Sequence, residues 1–273
     1  MLDILKVIVI GIVQGITEWL PVSSTGHMIL VNQFLKLNQT PEFFNTFLVV
    51  IQFGSILAVL LIFFKKLNPF DSSKTKVQKN ETLSLWAKVI IAIIPSGLIG
   101  VLFEDKIDAL FFNSTTVAIA LIVYGVIMIM LENRNKQPKV SSFNQLTYKL
   151  ALGIGLFQCL ALIPGTSRSG STIIGAVLLG TSRYVATEFS FFLAVPTMLG
   201  ASALKLLKVG FAFNGFEWLL LGIGCFVAFI VSVFAIKFLL DYIKKHDFKV
   251  FGYYRIILGA IVLAYFYFSG ASI

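Results

Sequence analysis

The sequence predicts an all-α integral membrane protein, with six transmembrane helices plus two re-entrant helical hairpins arranged as an inverted-topology repeat. Three observations carry this expectation. First, 58% of the 273 residues are hydrophobic and 13% charged, with mean hydropathy +0.91, whereas a soluble domain is about 45–50% apolar and about 25% charged. Second, apolar runs of about 20 residues recur, enough to cross roughly 30 Å of hydrocarbon as helix. They lack the alternation that a membrane β-barrel requires. Third, two further apolar stretches are each interrupted by a short polar run.

The first interrupted stretch runs from about 2 to 36 and is broken by Pro21-Val22-Ser23-Ser24-Thr25-Gly26. Its opening part, Ile4 to Leu20, contains Gln14 and Glu18 and has neither a basic leader nor a small-residue cleavage site, so it reads as structure rather than as a cleavable signal. Full crossings follow at roughly 42–64, 84–103 and 114–132. The second interrupted stretch, about 145 to 180, is broken by Pro164-Gly165-Thr166-Ser167-Arg168-Ser169-Gly170. Crossings at roughly 184–207, 216–240 and 251–269 complete the chain. Each piece of an interrupted stretch is about 12–18 residues, short for a crossing. Each pair therefore reads as a hairpin that dips into the membrane and returns.

The order hairpin, then three crossings, occurs twice. Residues 1–135 form the first repeat and 136–273 the second, within one membrane domain. Pro21 matches Pro164, Gln14 matches Gln158, and Phe47-Leu48-Val49-Val50 matches Phe192-Leu193-Ala194-Val195, all at offsets of 143–145. Three crossings per half invert the second copy, so the two breaks meet near the midplane from opposite faces, a design common in transporters.

The net charge is +9, but its placement argues against nucleic acid. Lys65, Lys66, Lys74, Lys76 and Lys79 follow the first crossing; Arg134, Lys136, Lys139 and Lys149 lie mid-chain; Lys244, Lys245 and Lys249 follow the fifth crossing. These three loops share one side, which the positive-inside rule makes cytoplasmic. The opposite loops are poorer, with Glu104, Asp105, Lys106 and Asp108 in one and Lys208 in another. Both termini then lie outside. The first hairpin enters from outside and the second from the cytoplasm. Cys159 and Cys225 both sit in apolar runs and read as small hydrophobes.

Gln14 and Glu18 are four residues apart and share one helix face. Gly11 and Gly15, on an adjacent strip, allow close packing. A carboxylate inside an apolar stretch is expensive and marks a functional site by default, a structural ion pair being the plainer alternative. Pro21 stops the incoming helix, and Ser23, Ser24 and Thr25 can cap the outgoing one. His27 falls in its first turn, three residues after Ser24, on the same side. The second break adds hydroxyls at Thr166, Ser167, Ser169, Ser171 and Thr172, with the forked guanidinium of Arg168 as a phosphate grip. Its outgoing helix presents free N–H groups to an anion. Gln52 lies mid-crossing, as support or as packing. Glu188 and Arg255 sit near crossing ends and are expected to snorkel, and His246 falls in a basic loop.

Gln14-Gly15-Ile16-Thr17-Glu18-Trp19-Leu20-Pro21-Val22-Ser23-Ser24-Thr25-Gly26-His27 resembles the first signature of the bacterial undecaprenyl-diphosphatases linked to bacitracin resistance. Pro164 to Gly170 resembles their second, and Phe189-Ser190-Phe191-Phe192-Leu193-Ala194-Val195-Pro196 fits as well. The resemblance covers essentially the whole chain. It implies a multi-pass enzyme of the bacterial cell membrane, its site open to the outer face. It further implies hydrolysis of undecaprenyl diphosphate to the monophosphate and inorganic phosphate, which recycles the carrier lipid for peptidoglycan synthesis. A divalent cation, Mg or Ca, is implied as cofactor. The family's first signature opens with glutamate or glutamine; Gln14 stands here, leaving a single carboxylate.

The expected chemistry is phosphoryl transfer aided by charge neutralisation. Glu18, Ser24, His27 and Arg168 are the catalytic candidates. Gln14, Ser23, Thr25, Ser167, Ser169 and Thr172 are the substrate-binding candidates, and Glu18 with Gln14 the metal-binding pair. His27 is expected to act as general base or acid on Ser24 or on water. The expected partners are a polyprenyl diphosphate lipid and the bilayer, with a homodimer as candidate assembly. The rival reading is a transporter or flippase for a polyprenyl phosphate lipid, which needs an anion site but no Glu–Ser–His cluster.

Overall fold

The computed structural model describes residues 2–134, 136–209 and 213–269, without the side chains of Glu104 and Asp108. Among the described residues it contains helices and no strand, only one isolated parallel bridge between Val140 and Thr181. The helices are α1 (Leu2–Thr17), α2 (Ser24–Phe34), α3 (Pro41–Ile62), the short α4 (Phe64–Leu67), α5 (Lys76–Phe111) and α6 (Ser114–Asn133). The second half has α7 (Tyr148–Cys159) continued by a 3-10 turn (Leu160–Leu162), then α8 (Arg168–Leu178), α9 (Arg183–Val209), α10 (Gly215–Tyr242) and α11 (Lys249–Ser269).

The helices start where the sequence supplies acceptors for their first free amides. Thr40 accepts from the Phe43 amide (3.1 Å), with Pro41 opening α3. Asn113 accepts from Thr116 (2.8 Å) and Thr147 from Leu150 (3.2 Å). Asn214 and Glu217 form a reciprocal capping box on α10, with bonds of 3.0 and 2.8 Å.

Six helices, α3, α5, α6, α9, α10 and α11, are long and apolar enough to cross a membrane. They match the expected crossings except in α5. The loop expected around Asp105 and Lys106 is instead helix, because α5 runs for 36 residues, roughly 54 Å at 1.5 Å per residue. No glycine or proline follows Gly100 before the helix ends at Phe111, so charge alone does not stop it. The side chains of Glu104 and Asp108, part of that expectation, lie outside the described residues. The outer surface is apolar, with Leu102, Leu207 and Phe234 about two-thirds exposed, as a lipid-facing belt demands.

Packing interleaves the halves. α1 lies on α10, α7 on α5, α3 on both α9 and α10, α9 on α5, and α6 on α11. Exchanging α1, α2, α3, α5 and α6 for α7, α8, α9, α10 and α11 interchanges α1–α10 with α7–α5 and α3–α10 with α9–α5, and maps α3–α9 and α6–α11 each onto itself. The α1–α10 and α7–α5 contacts are close enough to need glycine. A Cβ on Gly15 would stand 2.8 Å from the Ala228 carbonyl oxygen, and one on Gly155 would stand 2.0 Å from that of Ala92.

The largest core cluster is rich in phenylalanine. Phe63, Phe191 and Phe192 pack together, and Trp19 meets Phe191 edge-on at 5.1 Å. Two expectations fail here. Glu188 does not snorkel: it is buried and accepts bonds from Lys66 Nζ and from the Tyr184 hydroxyl (2.6 Å). Arg255 does not reach an interface either, being fully buried between both broken segments. A buried ion needs partners, and in each case the fold supplies them from residues distant in sequence. His246 is exposed and stacks on Tyr242.

Candidate active site

The two polar breaks share one local design. α1 ends at Thr17 and α2 begins at Ser24; the second break ends with α8 beginning at Arg168. Ser23 (φ 73°) and Ser167 (φ 75°) are the two non-glycine residues with positive φ among the described residues. Such a conformation is strained for serine and is held by its surroundings. Each serine caps the helix it precedes, its Oγ accepting from Gly26 N (3.3 Å) and Gly170 N (3.1 Å) respectively. Ser24 and Arg168 thus occupy the same position, the first residue of each outgoing helix.

Both converge on Glu18, which is 5% exposed. Arg168 Nη2 donates to Glu18 Oε1 (3.1 Å). Ser24 Oγ donates to Glu18 Oε2 (3.3 Å), and Gln14 Nε2 donates to the same oxygen (3.0 Å). The predicted helix-face pairing of Gln14 with Glu18 is therefore a direct bond. Arg168 Nη1 is held by the Ser190 carbonyl (2.7 Å) and, more loosely, by Ser190 Oγ (3.3 Å), and its guanidinium carbon lies 5.8 Å from the Trp19 ring centroid. Glu18, Ser24 and Arg168 border a cavity of about 120 Å³, lined also by Thr25, Gln52 and Ser167, with Ala161, Ile163, Gly165 and Met198 as its apolar wall.

The other candidates stand behind that surface. Ser23 is buried in its capping bond. Ser169 Oγ donates to the carbonyls of Glu18 (3.2 Å) and Leu20 (3.4 Å), tying one break to the other. Thr172 is buried and bonds to the carbonyls of Arg168 and Ser169 and to Ser190 Oγ (2.7 Å). His27 lies apart from the cavity. Its Nδ1 bonds the Ser23 carbonyl (2.7 Å) and its Nε2 the Tyr254 hydroxyl (2.6 Å), with the two rings stacked. With Nδ1 as the donor, Nε2 accepts from tyrosine and does not touch Ser24. Ser190 and Met198 are site residues that sequence patterning alone does not single out. Ser190 had a signal, a hydroxyl within the apolar run Phe189 to Val195. Met198 had none.

The donor set suits a hard cation only in part. Among the described residues no three His, Cys, Asp or Glu side chains cluster. Glu18 supplies one carboxylate at the cavity edge, which fits the way Mg²⁺ is commonly bound, by one or two carboxylates and the phosphates of its substrate. The arrangement can do three things. It grips an anion through Arg168, offers the N–H groups of two helix starts, and presents a serine hydroxyl already bonded to a carboxylate.

Fold and site together define a multi-pass helical membrane protein with a buried Glu–Ser–Arg centre built from two broken helix pairs. Residues 7–261 match the family model of the bacitracin resistance protein BacA, and the chain belongs to that family. It is 77% identical to "Undecaprenyl-diphosphatase 1" of Clostridioides difficile, over 98% of this chain and 97% of that protein. It is 59% identical to "Undecaprenyl-diphosphatase" of Lachnoclostridium phytofermentans, over 97% of each chain. It is 58% identical to a protein of that name from Enterococcus faecalis, over 96% of each.

Proposed function

We propose that this chain hydrolyses undecaprenyl diphosphate to undecaprenyl phosphate and inorganic phosphate in the bacterial cell membrane, recycling the carrier lipid for peptidoglycan synthesis and conferring bacitracin resistance. Relatives named for that activity match it over nearly their whole length. The observation that carries the chemistry is the convergence of Ser24 and Arg168 on Glu18. Nothing in the comparisons favours the flippase reading.

Ser24 Oγ is the nucleophile. Its hydroxyl is bonded to Glu18 Oε2, which takes the proton as the Oγ–P bond forms. The anhydride P–O bond breaks and the lipid monophosphate leaves; water then releases phosphate from serine. Arg168 and the free amides at the starts of α2 and α8 hold the charge on the transferred group. Thr25 and Ser167 line the same cavity as hydrogen-bonding partners. Glu18, with Gln14 beside it, would hold a divalent cation, which supplies charge neutralisation at the diphosphate. His27 acts through the Ser23 carbonyl, steadying the strained turn before Ser24.

The two broken helix pairs enter the membrane as re-entrant hairpins, the first from outside and the second from the cytoplasm, as inverted copies spanning 1–135 and 136–273. The matched packing pairs and matched serine caps support this arrangement. The basic loops face the cytoplasm, and the cavity opens to the outer face. Two copies associate as a homodimer, and nucleic acid is not a partner. The test is phosphate release from undecaprenyl diphosphate by purified protein, followed by acid-stable trapping of phosphoserine. Lipid flipping in vesicles without phosphate release would establish the carrier instead.

A further inference from the structure

Arg255 is 0% exposed, in the first half of α11, a membrane-length helix. Its Nη1 donates to the Pro21 carbonyl (3.2 Å), and its Nη2 to the carbonyls of Gly165 and Thr166 (both 2.9 Å). The guanidinium carbon lies 5.7 Å from the Tyr124 ring centroid. Among the described residues no carboxylate pairs with it, and Nε–H has no partner. A buried cation held by neutral carbonyls and one aromatic ring, with no counter-charge, is costly to keep. What it holds explains why it is there. Pro21 belongs to the break that carries Glu18 and Ser24, and Gly165 and Thr166 belong to the break that carries Arg168. One planar fork from a third helix thus fixes both breaks at once. The space around it is closed, since a Cβ on Gly170 would stand 3.2 Å from Nη1.

We infer, on the phosphatase reading of that site, that Arg255 is a positioning residue: it fixes the Glu18–Ser24 break against the Arg168 break, so that nucleophile, carboxylate and phosphate grip meet in one geometry. Ser169 is its lighter companion, bonding across the same seam. Lysine has the charge but not the fork, and cannot hold three carbonyls in one plane. Methionine fills the space and leaves all three unpaired.

Purified wild type, Arg255→Lys and Arg255→Met are compared for kcat and KM on undecaprenyl diphosphate in detergent. Arg255→Met is expected to lose about 100-fold in kcat, the scale of a misplacement near 1 Å. Arg255→Lys is expected to fall between, with KM changed less than about threefold because every group that contacts the phosphates is still present and only their relative placement is lost. The decisive readout is a double-mutant cycle with Arg168→Lys, followed by single-turnover phosphate release. If Arg255 acts by placing Arg168, the cost of Arg255→Lys shrinks by about fivefold or more in the Arg168→Lys background. Additive costs, or wild-type kcat in Arg255→Lys, overturn the inference. If Arg255→Met does not survive extraction, Arg255→Lys and the cycle decide. A wild type that releases no phosphate overturns the phosphatase reading itself, whereas an active wild type with additive variants overturns Arg255 alone.

Discussion

Glu18 and Arg168 are 150 residues apart in the chain, yet Oε1 and Nη2 meet at 3.1 Å with both side chains largely buried. Each makes the other's charge tolerable in an apolar surround. A diphosphate entering the cavity must share Arg168 with Glu18. The pair is thus one structural tie between the halves and, on the proposed reading, the point where substrate charge is met.

Breaking this pair from the arginine side gives the first prediction. Arg168→Ala removes the phosphate fork and leaves Glu18 uncompensated, so kcat should fall about 10²–10³-fold. Stability should fall too, by up to about 3–5 kcal/mol, as when one partner of a buried pair is removed. Arg168→Lys should retain more of both. Activity per unit of monodisperse protein, with thermal unfolding alongside, checks this. Near-normal activity in the alanine variant would remove Arg168 from the site.

Breaking it from the carboxylate side tests the cation. Glu18→Gln keeps the shape but loses the charge that faces Ser24 and Arg168, and turns one of the two acceptor oxygens into a donor. Activity should drop, and added Mg²⁺ or Ca²⁺ should restore part of it if Glu18 contributes to the metal site. Gln14→Glu should be tolerated, since Gln14 already lies against Glu18 and a divalent cation offsets the second charge. A fully active Glu18→Gln with unchanged metal demand would overturn Glu18 both as the base on Ser24 and as a metal ligand, leaving the cation to the substrate phosphates.

The strained caps give a stability prediction. Ser23 and Ser167 adopt φ near +75° and cap α2 and α8 with their hydroxyls. Glycine accepts that backbone and forfeits little as a cap, so Ser23→Gly and Ser167→Gly should change stability by only a few tenths of a kcal/mol. Valine is β-branched and cannot cap, so either valine variant should cost about 1–3 kcal/mol. Thermal melts of the four variants decide. If glycine is as damaging as valine, the hydroxyl rather than the backbone conformation is what the turn requires.

Much of this site was legible because polar groups are rare in apolar runs. Glu18, Ser24 and Arg168 stand out for that reason, and the shared offset of Pro21/Pro164 and Gln14/Gln158 pairs the breaks from sequence alone. What sequence could not carry was partnership at long range. Glu188 and Arg255 lie near helix ends in the chain, which makes snorkelling the natural expectation. Lys66, 122 residues from Glu188, and the two folded breaks around Arg255 bury them instead. His27 is correctly spaced to share a helix side with Ser24, but Tyr254, 227 residues away, takes its Nε2. Local spacing gives a direction, and tertiary packing decides what lies there.

Orientation is tested by labelling. Basic residues cluster after α3, between α6 and α7, and between α10 and α11, and such clusters stay cytoplasmic. Asn80 is exposed near the start of α5, beside Lys76 and Lys79, and Asn113 is the exposed cap of α6 at the other end of the same hairpin. The apolar core of α5 separates them. In a variant otherwise lacking cysteine, Asn80→Cys should react with a membrane-impermeant maleimide only after the cytoplasmic face is exposed. Asn113→Cys should react in intact cells, although the bond of Asn113 Oδ1 to the Thr116 amide is lost there. That cap is worth about 1 kcal/mol and leaves the crossing itself intact. The reverse pattern would invert the protein and turn the mouth of the Glu18–Arg168 cavity toward the cytoplasm, where an outward-facing diphosphate lipid could not reach it.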